Sequence, residues 1–430
     1  MTSKRILITG LSTYWGGRLA HALEQDMLDA VSVAEESAEG LGARPVTIGI
    51  LPTLAAHHLA SEQLTEDPRY ALLNQQMLVA RGEPFRLDIT APDHRGRGLS
   101  TAHGTPDAGE PERLVLDVES IAPEAACTSL QLHLQLTPDR FSAYWNAAQA
   151  VAGVQVALAA NSPFLLGHRL WAETRVPLFT QAVDTRPVEL RNQGVRPRVW
   201  FGDRWAHSVY DLFEENVRYF GALLPLADEE DPFAELDAGR APSLHELRLH
   251  NGTVWRWNRP VYDVADGVAH LRLENRVLPA GPTAVDAVAN ALFFYGLIRA
   301  LVDAEQPPWR RMSFDAAEHN FVEGARNGID ATLYWPEIGS TRADALVLEE
   351  MLPLAEQGLA AWGVDDATSR RYLSVIEQRC RCRRTGATWQ IDVVDGLEHR
   401  GYDRESALTL MLARYLEGMD ANEPVHSWSM

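Results

Sequence analysis

The sequence predicts an α+β fold: an antiparallel sheet with a polar concave face as the floor of an active site, and helices on its apolar face. Three stretches carry this expectation. In Leu271-Arg272-Leu273-Glu274-Asn275-Arg276-Val277, successive side chains of a strand point to opposite faces. Leu271, Leu273 and Val277 therefore share one side, and Arg272, Glu274 and Arg276 share the other. Leu130-Gln131-Leu132-His133-Leu134-Gln135 and Glu246-Leu247-Arg248-Leu249-His250 divide in the same way. One such strand is compatible with a solvated face. Three suggest a shared floor of His, Glu, Arg and Gln.

Taken in order, residues 4–10 read as a short buried strand that breaks at Gly10, and Gly16 to about Glu39 as a helix with Leu19, Leu23, Met27 and Val31 at helical spacing. Thr9-Gly10-Leu11-Ser12-Thr13-Tyr14-Trp15-Gly16-Gly17 resembles the opening of a short-chain dehydrogenase, where glycines let the backbone approach a pyrophosphate. Thr13 replaces the middle glycine, and no acidic residue about 20 positions on ends a second strand to hold a ribose. NAD(P)-dependent oxidoreduction is thus a minor alternative. Further strands are expected at Pro45–Leu51 and Phe85–Ile89, with a flexible surface loop over 91–112. The His133 strand leads through Thr137-Pro138 into a buried helix from Asp139 to about Ala160, ended by Asn161-Ser162-Pro163.

Asn251-Gly252 predicts a primed turn that joins Glu246–His250 to Thr253–Trp257 as a hairpin. That register puts Glu246, Arg248, His250, Trp255 and Trp257 on one face, the tryptophans as packing. Thr283, with Asp286 three residues on, starts a long helix. Further helices are expected at about 313–327, 341–361, 366–380 and 403–419.

A net charge of -20 argues against a nucleic-acid binder or an anionic membrane surface. Three cysteines make no disulfide framework, and Cys380 and Cys382 lack a second ligand pair for zinc. No uninterrupted apolar run reaches the length of a membrane span. The expected location is cytoplasmic. Arginine is dense over 165–206, mostly as surface ion pairs; the run Arg379 to Arg384 reads as a local anion site or a solvated turn.

A carboxylate (Glu274), an imidazole (His133) and arginines on one face suit a metal–phosphate site. Magnesium takes oxygen ligands and bridges phosphates, while guanidinium groups neutralise a transferring phosphoryl group. No P-loop or kinase signature is present. Several stretches then resemble the glutamate–cysteine ligase type 2 family, in its actinobacterial branch. They include Ile48-Gly49-Ile50-Leu51-Pro52-Thr53-Leu54, Ser129-Leu130-Gln131-Leu132-His133, Ala160-Asn161-Ser162-Pro163-Phe164, Gly194-Val195-Arg196-Pro197-Arg198-Val199-Trp200-Phe201-Gly202, Leu273-Glu274-Asn275-Arg276-Val277-Leu278-Pro279 and Asn422-Glu423-Pro424-Val425-His426.

The resemblance implies an ATP-dependent carboxylate–amine ligase of glutamine synthetase-like fold that joins L-glutamate to L-cysteine through γ-glutamyl phosphate, with ATP and Mg2+ as cofactors. It implies Glu274 and His133 at the metal, and Arg276 at the phosphoryl group or substrate. Arg175 and Arg198 are further candidates to grip glutamate or phosphate. Arg384 and Thr385, in Arg384-Thr385-Gly386-Ala387 with Gln390, resemble a motif on the nucleotide side, and Arg248 belongs with them. The family's opening strands, with their metal-binding glutamates, have no counterpart here. Residues 1–22 are thus expected to be a dehydrogenase-like start and 23–430 a single catalytic domain, which keeps a binding-only homologue as the alternative.

Overall fold

A computed structural model describes residues 17–64, 66–93, 110–224 and 226–430. The expected strand at 4–10 and its glycine turn lie outside them. The elements used below are, in chain order, α1 (Gly17–Glu39), β1 (Phe85–Thr90), β2 (Arg113–Val118), β3 (Leu132–Leu136), α2 (Pro138–Ala159), α3 (Arg175–Ala182), α4 (His245–Asn251), β4 (Asn258–Ala265) and β5 (Val268–Asn275). They continue with α5 (Ala284–Asp303), α6 (Phe314–Asn327), α7 (Leu352–Ala361), α8 (Asp366–Cys382), α9 (Gly386–His399) and α10 (Arg404–Asp420). Helices and small antiparallel sheets together make the fold mixed α+β, as expected.

The alternation read at Leu271–Val277 and at Leu130–Gln135 forms a sheet. β5 is its central strand, antiparallel to β3 on one side and β4 on the other. His133 stands opposite Glu274, and Arg259 stands opposite Glu274 from the other side. Leu132, Leu134 and Leu273 point the other way and are buried. Helix α2 packs beneath them through amide groups as well as hydrocarbon. Trp145 Nε1 donates to the Asn258 carbonyl, Gln155 Nε2 to Asn275 Oδ1, and Asn258 Nδ2 to Gln149 Oε1. Paired amides are what make these buried polar groups tolerable.

The third strand is not the expected one. Glu246–His250 lies in helix α4, and Gly252 follows it at φ -66°, outside the left-handed region a primed turn requires. The Glu230 carboxylate accepts from the backbone N–H groups of Ser243 and Leu244 at the helix start. Asn251 is buried instead of capping a turn, donating to the Pro260 carbonyl and accepting from Asn216. Five alternating residues are too few to separate a strand from two turns of helix. The hairpin forms at Asp266-Gly267, both at positive φ (51° and 75°), between β4 and β5. Trp255 and Trp257 pack in the core beside Phe179 rather than on the polar face.

Other corrections are smaller. Pro45–Leu51 is extended but forms no strand, with Gly49 bonded to Asn161 and Thr128. β1 pairs with β2 around residues 94–109, which are outside the described set. Residues 339–342 pair as strand, so the expected 341–361 helix begins at Ala343. Helix α9 was not expected. Helix α5 is long and apolar enough to cross a membrane, but 89% of its apolar window is buried inside the fold; it is a core helix. All three cysteines are free.

Two helix crossings fix the scaffold under the sheet. A Cβ on Gly358 of α7 would collide with the Gly296 carbonyl oxygen of α5, and one on Gly324 of α6 with the Gly153 carbonyl of α2. Gly358→Ala should therefore destabilise the fold by about 2 kcal/mol or more through overpacking. Denaturant titration checks this, and an unchanged midpoint would refute so close a crossing.

Candidate active site on the sheet face

Glu274 projects from the middle of β5 and is 2% exposed, with His133 at 4% beside it. Arg259 Nη2 lies 2.9 Å from Glu274 Oε2, and Arg276 Nε lies 3.1 Å from Oε1. Burial alone pushes the Glu274 carboxyl upward, but Arg259, Arg276 and His133 together outweigh it and hold the pKa at about 2. His133 Nδ1 lies 3.2 Å from Arg272 Nε, and its Nε2 lies 3.9 Å from Glu274 Oε2. Tyr295 of α5 donates to the His133 carbonyl and anchors the strand from below.

Toward solvent the same face continues through Arg272, His270 and Asp263. Arg272 Nη1 bonds Asp263 at 3.2 Å and His270 Nε2 at 2.9 Å. Arg248 reaches the face from helix α4, with Nη2 2.8 Å from Asp263 Oδ1. Four predicted site residues thus converge: Glu274, His133, Arg276 and Arg248. Arg259 and Asp263 join them from β4, whose hairpin signal at Asp266-Gly267 would have revealed them.

The other four lie elsewhere or act indirectly. Arg175 is buried and its donors are taken. Nε pairs with Glu173 at 3.1 Å, Nη1 donates to the Arg276 carbonyl at 3.3 Å, and Nη2 to the Val277 carbonyl at 2.5 Å. It holds the exit of β5, and so positions Arg276. Arg198 is buried against Phe220 and donates to the carbonyls of Thr253 and Gly221. Burial lowers its pKa to about 10.

Arg384 donates to the Trp428 carbonyl, and Thr385 caps α9 by accepting from the Thr388 N–H. A Cβ on Gly386 would collide with Asn161 Oδ1, which accepts from Gln390. The motif spanning these residues seats α9 on Asn161-Ser162. In the run Arg379 to Arg384, Arg379 is buried on Asp286 and Asn290, while Arg381 and Arg383 remain partly exposed around the turn after α8 and pair with Glu377 and Asp330.

Magnesium does not fit the described residues. It takes several oxygen ligands, whereas both Glu274 oxygens face guanidinium groups, and no cluster of three His, Cys, Asp or Glu suited to a metal occurs among the described residues. Cavities of about 430 Å³, beside Glu24 and Arg371, and about 300 Å³, beside Asp93 and Glu323, lie away from Glu274.

A carboxyl whose pKa falls on folding contributes stability above its ordinary value of 4.5 and loses it as pH drops toward about 2. Glu274→Gln should cost about 3 kcal/mol at pH 7, since two guanidinium groups lose their shared anion. The difference from wild type should shrink below about pH 5. Denaturant titrations at several pH values check this, and a gap that stays constant to pH 3 would count against the bridge.

Comparison with known proteins gives this face its context. The sequence profile of glutamate-cysteine ligase family 2 (GCS2) matches residues 18–407, from α1 through the start of α10 and across every strand described here. No curated protein matches the chain. With nine-tenths of its length inside that profile, the chain belongs to glutamate-cysteine ligase family 2.

Proposed function

We propose that this protein is an ATP-dependent carboxylate–amine ligase that forms γ-glutamylcysteine in a single catalytic domain. The γ-carboxylate oxygen of glutamate attacks the terminal phosphorus of ATP, and the bond to the bridging oxygen breaks to release ADP. The neutral amine of cysteine then adds to the acyl carbon, phosphate leaves, and the amine proton is lost to solvent. Both steps move negative charge onto phosphoryl oxygens, which fixed guanidinium groups stabilise without reorganising. Arg276 and Arg259, locked by one carboxylate, are suited to that work, and the described residues give magnesium no oxygen cage to share it.

The observation that carries the reading is the in-register grouping of His133, Glu274 and Arg259, with Arg276 bonded to Glu274, in a chain of this family. A binding-only homologue is the second reading, favoured by the lack of a three-ligand metal cluster among the described residues. Purified protein should release ADP in a glutamate-dependent manner with ATP and magnesium, and hydroxylamine should trap γ-glutamyl hydroxamate. Arg276→Gln should lower kcat/KM by about a hundredfold. ATP binding without glutamate-dependent ADP release would select the binding-only reading.

A further inference from the structure

Each carboxylate on the polar face is shared by two guanidinium groups. Glu274 lies between Arg259 and Arg276, and Asp263 between Arg248 and Arg272. Among the described residues the face therefore sets four cations against two anions, in a chain of net charge -20. The two bridges differ in depth. Side-chain exposure is 12% for Arg259, rising to 18% for Arg272 and 41% for Arg248. Guanidinium carries five N–H donors in a rigid fork, and two-way sharing of a carboxylate leaves donors over; Arg259 Nε is buried without a partner. Excess positive charge held at reduced dielectric attracts an anion more strongly than the same charge in water.

We propose that this face takes a phosphate-bearing polyanion, such as a nucleotide triphosphate, directly on Arg259, Arg272 and Arg248, with no divalent cation needed for binding. The inference rests on the ligase reading for the identity of the polyanion and not for its charge. Carboxylates that would hold a metal bridge are here consumed in orienting arginines. The deeper bridge meets the phosphoryl groups, while the outer one, between helix α4 and the strands β4 and β5, meets the approaching charge first. Asp263 then acts as a brake, since its negative charge offsets one of the two outer cations.

Calorimetry with ATP and with inorganic tripolyphosphate, each in excess EDTA and in excess magnesium, tests this on the full chain. Both ligands should bind in EDTA, no more weakly than with magnesium. Arg272→Gln and Arg259→Gln should each weaken binding by about tenfold, the loss of one charge-assisted contact. Asp263→Asn should tighten it, a gain that misfolding cannot produce. Binding that needs magnesium, or an Asp263→Asn variant that binds no better, would overturn the proposal. Binding in EDTA without glutamate-dependent ADP release would keep this inference and remove the ligase; ADP release with magnesium-dependent binding would do the reverse.

Discussion

The arrangement depends on a carboxylate that has no water of its own. Glu274 is almost fully buried, and ionisation there is tolerable only because Arg259 and Arg276 bond its two oxygens. An isolated buried charge would neutralise itself by shifting its pKa upward; here the shift runs the other way, to about 2. The requirement is geometric. Arg259 must sit across from Glu274 on β4, and Arg276 must leave β5 at the angle that turns its Nε back. The first condition is met by the Asp266-Gly267 turn, which sets the strand register. Arg175 meets the second by bonding the Arg276 and Val277 carbonyls.

Beneath the sheet the same constraint is passed to the helices. Amide groups of α2 and the Tyr295 hydroxyl of α5 satisfy the backbone and side-chain groups that the buried strands present. The packing of α7 on α5 and of α6 on α2 depends on glycine at both crossings, where any side chain would meet a backbone carbonyl. An apolar floor alone opposes a slip of β5 by one residue, which would exchange its faces, but not a slip by two, which would keep them. The paired amides at Asn258, Asn275, Gln149 and Gln155 make that slip expensive, because each partner would be left unsatisfied.

How much of this was legible in the sequence follows from how local each signal is. Alternation placed β3 and β5, and with them His133, Glu274 and Arg276, because a period of two is a property of neighbouring residues. It failed at Glu246–His250, where a left-handed Leu244 and the distant Glu230 start a helix that the alternation does not show. Two turn dipeptides competed for one hairpin. Asn-Gly is the stronger by composition, yet Asn251 is drawn into the core by Asn216 and Pro260, and Asp266-Gly267 turns the chain instead. Arg259 was lost with that strand. Arg175 and Arg198 stand out by charge and density, and only their partners, 23 to 102 positions away in sequence, show that their donors serve backbone carbonyls.

Family resemblance carries a similar ambiguity, because motifs mark chemistry and packing alike. Arg384-Thr385-Gly386-Ala387 with Gln390 reads as a nucleotide-side motif, yet most of its contacts join α9 to Asn161, through a cap at Thr385, a close approach at Gly386 and a hydrogen bond from Gln390, while Arg384 holds the Trp428 carbonyl. Asn161 in turn donates to the Ala280 carbonyl, four residues after Arg276 in the segment that leaves β5. Glu173 closes the circuit, accepting from the Asn161 N–H, from Ser162 and from Arg175. A substitution at Gly386 would thus reach Arg276 through Asn161, Glu173 and Arg175, with no contact to any ligand. In this protein Arg276 on the sheet face and the residues that aim it belong to one polar network.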